Sequence, residues 1–161
     1  MLKQKSIKEI AENWQEYREP VKKAFFATPG GLAMGGDKYD DFEHIIKLKL
    51  TNPFNTSMQL WSSEEDGEVN YIILTKLQIC EFSQIKSLLL FTGTRVNNVE
   101  QLTMQEAYAD GYVALTSFAQ KHNCEAIMAY SDLDYFVDKI KTTSFFDSVI
   151  KRNFFYLPLN N

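Results

Sequence analysis

The chain has 161 residues, of which 45% are hydrophobic and 24% charged, the composition of a folded globular protein with enough length for one core. Its 17 basic and 21 acidic side chains leave a net charge of −4, too small and of the wrong sign for a nucleic-acid binder. No apolar run approaches the roughly 20 residues of a membrane span, and Lys-rich Met1 to Lys8 precedes no apolar signal region, so a cytoplasmic protein with no membrane partner is expected.

Ser6 and Glu9 have capping-box spacing, and Ile7, Ile10, Ala11, Trp14 and Tyr17 follow on one helical face. This predicts a first helix running to about Pro20, where the missing N–H and ring clash would stop or kink it, and a further turn or two over Pro20 to Phe26. Thr28 to Lys38 reads TPGGLAMGGDK, with four glycines and no apolar period, and predicts a flexible loop. Gly30 and Gly35 have the spacing of a phosphate loop, but Gly36 stands where Lys is needed. Asp40 or Asp41 then caps a helix with Phe42, Ile45, Ile46 and Lys49 on one side, ended by Asn52-Pro53.

Met58 to Trp61 and Val69 to Leu77 flank Glu64-Glu65-Asp66-Gly67, the signature of a β-hairpin. Ser87 to Thr92 (SLLLFT) is continuously apolar, as a strand covered on both faces would be. Thr103 and Glu106 form a second capping box before a long apolar stripe from Tyr108 to His122. Glu125 to Tyr130 reads as a short strand, Ser131 to Ile140 as a helix and Val149 to Leu157 as a last strand. The strand, helix, strand order from Leu88 to Tyr130 predicts a parallel pair joined by a right-handed crossover. Ligands bind at the carboxyl ends of such strands.

Few residues carry obvious chemistry. Cys80 and Cys124 form no Cys-x-x-Cys pair and read as buried free thiols, and no metal set is expected. His122 lies two residues from Cys124, but its place near a helix end favours capping over a dyad. The carboxylates at Glu64 to Glu68 suit a solvated turn better than a cation site. The segment Thr92 to Leu102 leaves the central strand and feeds the free N–H groups of the next helix, a place that suits phosphate, with Arg95 as a further contact.

From Met58 onward this order resembles the GNAT superfamily of N-acetyltransferases, in particular compact versions encoded by tailed bacteriophages. The matching features are Trp14, Leu60-Trp61, Lys86 with Leu88, Phe118-Ala119 with Cys124, and the aromatic end from Phe154 to Leu159. The resemblance implies one α/β (α+β) domain over 1–161, with an N-terminal helical part over 1–53 and a strand-strand-strand-helix-strand-helix-strand core over 54–161. The sheet would be mixed and mostly antiparallel, with a central parallel pair flanked by helices. It also implies acetyl-CoA as cofactor, held by Gly93, Arg95, Thr103, Met104 and Gln105, with Tyr130 or Tyr135 as the acid.

Two family features are altered. The glycines of the family's Gln/Arg-x-x-Gly-x-Gly/Ala signature would fall on Asn98 and Glu100 counting from Arg95, or on Met104 and Glu106 counting from Gln101. The usual tyrosine position before a Gly-Phe pair, here Ser144-Phe145, holds Ile140. A catalytically silent phage structural or virion-associated domain is therefore the alternative. It would bind another phage or host protein through the Phe25-Phe26 segment or the tail from Phe154 to Tyr156.

Overall fold

The computed structural model describes residues 2–27, 38–54, 57–65, 68–96 and 104–129, with backbone alone at 65, 91, 95 and 104–110. In chain order these form β1 (Leu2–Gln4), α1 (Ile7–Glu12), α2 (Trp14–Ala27), α3 (Tyr39–Thr51), β2 (Met58–Glu65), β3 (Glu68–Ile79), β4 (Lys86–Arg95), α4 (Met104–Lys121) and β5 (Ala126–Ala129). The described strands make one sheet in the order β1-β2-β3-β4-β5. All neighbours are antiparallel except β4 and β5, which run parallel as the strand-helix-strand order predicts. The predicted helix at Ser131 to Ile140 and strand at Val149 to Leu157 lie outside the described residues, as does the Gly30 to Gly36 loop. No helix among the described residues is long and apolar enough to cross a membrane.

The start of the chain departs from expectation. Leu2–Gln4 is a strand on the edge of the sheet, paired with Trp61 to Ser63, so the first 53 residues are not purely helical. The Ser6 capping box forms as read, with the Ser6 hydroxyl accepting from the Glu9 amide and the Glu9 carboxylate accepting from the Ser6 amide. The helix then ends at Asn13 rather than Pro20, because both the amide and the side chain of Asn13 donate to the Glu9 carbonyl. The Asn13 carbonyl in turn accepts from Glu16 and starts α2, so Pro20 falls inside that second helix. An interior proline costs about 3 kcal/mol. It is offset by Tyr17, Val21, Ala24 and Phe25, which bury one stripe of α2, each larger side chain contributing roughly 1.5–3 kcal/mol.

The acid pair before α3 is likewise not its cap. The helix starts at Tyr39 with Lys38 as N-cap and no side-chain cap bond, and Asp40 and Asp41 occupy the first turn, where they favour the positive dipole end. Its inner face is Tyr39, Ile46 and Leu50, with Phe42 partly buried, whereas Ile45 faces outward at 43% exposure.

The sheet is covered on both sides. Met58, Leu60, Ile72, Leu74 and Leu89 point toward α1, α2 and α3, while Trp61, Ile73 and Leu88 point toward α4. Within the second face, Trp61 Nε1–H donates to Thr75 Oγ1 at 2.9 Å and the Thr75 hydroxyl donates to Gln59 Oε1 at 2.7 Å, all three residues being buried. α4 closes with a Schellman motif: Asn123 takes a φ of 55°, the Cys124 amide donates to the Ala119 carbonyl and the Asn123 amide to Gln120.

Candidate functional site at the carboxyl end of β4

β4 and β5 pair from Ser87 opposite Ala126 to Leu90 opposite Ala129, and β4 then runs on to Arg95. The strand is therefore longer than its apolar run, and Gly93 to Arg95, expected in a loop, belong to it. Along β3, Leu74 faces Thr92 and Thr75 faces Leu90, so Phe91 is an extra residue, a β-bulge. Side chains alternate along a strand, and a single inserted residue inverts that alternation. Leu89 precedes the bulge on the α2 side, and Thr92, which without the bulge would face α4, instead turns toward α2. There its hydroxyl donates to the Ala24 carbonyl at 2.6 Å, and Thr92 is only 5% exposed.

Gly93 follows, opposite Ile73. A Cβ at this position would lie 3.0 Å from the Ile72 carbonyl oxygen. The close approach that excludes a side chain is thus to the neighbouring strand. Arg95 ends β4 opposite Tyr71, and the Val96 amide donates to the Asn70 carbonyl. Met104 and Gln105 open α4, whose first N–H groups have no acceptor within the helix. Gly93 and Arg95 are therefore on one strand end. Thr103, Tyr130 and Tyr135 lie outside the described residues.

An aromatic group sits near this strand end, of which only Tyr39 went unnamed in the sequence reading. Phe25, Tyr39 and Phe42 stack mutually with centroids 5.3 to 5.8 Å apart, one residue on from the Ala24 carbonyl that Thr92 holds. Phe25 is 1% exposed. This corrects its assignment to an apolar surface patch; Phe26 alone of that pair is exposed. Tyr39 is fully buried, its hydroxyl has no hydrogen-bond partner among the described residues, and burial raises its pKa above the ordinary phenol value. The signal that could have found Tyr39 was masked by Asp40 and Asp41, which look like the helix start.

The remaining candidates lie elsewhere. His122 and Cys124 are at the C-terminal end of α4, next to the amino ends of β4 and β5. The His122 ring stacks on Phe118 at 4.3 Å, its pKa is lowered by burial and by Lys86 and Lys121, and burial raises the Cys124 thiol. That end also holds a cleft of about 180 Å³ bordered by Gln59, Phe118 and His122. Cys80 is exposed rather than buried, in the β3–β4 turn, where hydrogen bonds from the Ser83 side chain and from backbone amides lower its pKa. Glu64 is bound to Lys5. The Lys5 hydrogen bond lowers the Glu64 pKa, and Lys5 is itself raised because Glu64 and nearby Tyr17 outweigh its burial. Among the described residues no three His, Cys, Asp or Glu side chains gather into a metal site.

The whole chain superposes on solved acetyltransferases. A ribosomal-protein-alanine N-acetyltransferase from Brucella melitensis biovar Abortus 2308 aligns over 100% of this chain and 99% of its own, at 8% identity and a TM-score of 0.59. Aminoglycoside N-acetyltransferase AAC(6')-Iy in complex with CoA aligns over 99% of this chain and 100% of its own, at 11% identity and a TM-score of 0.57. A GNAT family acetyltransferase from Staphylococcus aureus aligns over 99% and 98%, at 10% identity and a TM-score of 0.58. No family profile and no curated protein matches the sequence. The fold is that of the GNAT N-acetyltransferases, a mixed, mostly antiparallel sheet with a parallel pair and flanking helices.

Proposed function

We propose that this chain binds acetyl-CoA past the carboxyl ends of β4 and β5 and passes the acetyl group to an amine. The observation that carries the reading is the bulged end of β4. The strand outruns its described pairing with β5, carries an extra residue at Phe91, and is followed in the chain by α4, whose first amides have no acceptor within the helix itself. A site built from main-chain donors suits an anionic cofactor, because backbone N–H groups and the helix dipole act without charged side chains. When bound, acetyl-CoA would supply a thioester whose acyl carbon an unprotonated amine can attack. On this reading the amides of Met104 and Gln105, with Thr103, hold pyrophosphate, Arg95 adds charge beside it, and backbone groups around Gly93 line the cofactor arm. Tyr130 or Tyr135 would return a proton to the departing sulfur.

Coenzyme A at 100 times its dissociation constant adds about 2.7 kcal/mol to the stability of a protein that binds it only when folded. The melting temperature of the purified chain should therefore rise by several degrees with saturating coenzyme, and an unchanged melting temperature would sink the reading. The side chains Asn98 and Glu100, or Met104 and Glu106, where the family has glycines, support a second reading, the same fold without catalysis serving as a protein-binding domain. Coenzyme binding with no acetyl transfer to any of a panel of amines would favour it.

A further inference from the structure

We infer that Thr92 is a positioning residue that ties the cofactor strand to the last turn of α2, so that seating of the cofactor on β4 is felt in the helical layer. The inference rests on the cofactor site proposed above and adds a mechanical link to it. Ala24 lies in the last turn of α2. The Thr92 hydroxyl donates to its carbonyl at 2.6 Å inside the core. It can do so only because the bulge at Phe91 turns the residue toward α2. The link continues beyond Ala24. Phe25 stacks on Tyr39, the first residue of α3, and Lys22 one turn back is ion-paired with Asp40 at 2.6 Å. The end of α2 and the start of α3 thus form one block, and Thr92 fastens that block to β4 at the first residue past the bulge.

The test is hydrogen exchange by mass spectrometry on the wild type, Thr92→Val and Thr92→Ser, each with and without saturating coenzyme A. Valine keeps the volume and removes the donor, while serine keeps the donor. In the wild type, coenzyme A should slow exchange at the end of β4 and at residues 24–27. Thr92→Ser should keep both effects. Thr92→Val should bind coenzyme A within about threefold of wild type and keep the effect on β4. Exchange over 24–27 should then be about fivefold faster and no longer respond to the cofactor, the factor expected for one buried hydrogen bond. Cofactor-dependent slowing at 24–27 that persists in Thr92→Val would overturn the link, as would its loss in both variants alike. If no variant binds coenzyme A, the proposed function fails, and the cofactor-free comparison alone decides the tie: equal exchange over 24–27 in Thr92→Val and wild type refutes it.

Discussion

Leu74 and Thr75 are neighbours on β3, both fully buried, and they face opposite sides of the same sheet. Leu74 points at α1, α2 and α3 into a core of Leu60, Ile72, Leu89, Val21 and Phe25, where apolar packing is joined by the Thr92 hydrogen bond to the Ala24 carbonyl. Thr75 points to the α4 side, where it is the middle of a hydrogen-bonded relay between Trp61 and Gln59. The first face gains from burying carbon and tolerates any side chain of suitable shape. The second has polar atoms that must find one another, and each loses its water whether or not the bond is made. One sheet thus combines a face that stabilises through area with a face that specifies which residues lie opposite.

The largest effect expected from breaking that contrast is on the apolar side. Leu74→Ala should lose about 2–5 kcal/mol in chemical denaturation, with a cavity left between β3 and α2; a loss under about 1 kcal/mol would mean that this face is loosely filled. On the other side, Thr75→Val keeps the shape but removes the acceptor of the Trp61 N–H and the Thr75 donor to Gln59, which should cost roughly 1–3 kcal/mol. No loss there would show the relay to be dispensable and the two faces alike.

The smallest effect belongs to the rim, where Lys5 meets Glu64. Glu64 has a lowered pKa in the folded chain, so its contribution is present above the ordinary carboxylate value of about 4.3 and fades as pH falls through the folded value. With the Glu64 side chain 40% exposed, solvent screening limits the pair to about 0.5–1 kcal/mol. Glu64→Gln should therefore be slightly less stable than wild type at pH 7, with the gap closing in acid. A gap that stays constant from neutral to strongly acidic pH would remove the pair from the account.

Much of the second half of the fold is legible in residues 58–129, because periodicity and punctuation agree there. The hairpin strands, the apolar central strand, the long stripe of α4 and the short parallel strand after it all occur at or near their expected positions. The front is harder to read. Leu2–Gln4 has one apolar residue in three, so nothing in it announces a strand; pairing with Trp61 to Ser63 makes it one. Pro20 is a strong local stop, yet the buried stripe of α2 runs through it. The candidate site was legible as a place and not as a set of side chains. The strand end and the helix start were both foreseen, but Thr92 was read only as the last residue of the strand and the first of the segment leaving it, since the bulge that gives it its partner leaves no mark in composition. The exposed thiol of Cys80 was missed for a related reason: a turn fixed by backbone bonds between Cys80, Gln84 and Ile85 sets its exposure, not the residue type.

The extra residue at Phe91 also splits β4 into two registers. Ahead of it, odd-numbered Leu89 looks toward the helical layer; behind it, even-numbered Thr92 does. Closing the bulge with Phe91 kept in the ladder would turn Thr92 to α4 and Gly93 to α2, exchanging the inward and outward sides of everything from there to Arg95 while leaving Lys86 to Leu90 as they are. Deleting Phe91 would do the opposite: Thr92 would follow Leu90 directly, still opposite Leu74 and still facing α2. The bulge therefore lets β4 carry one residue more than its partner strand without changing which side Thr92 and Gly93 face.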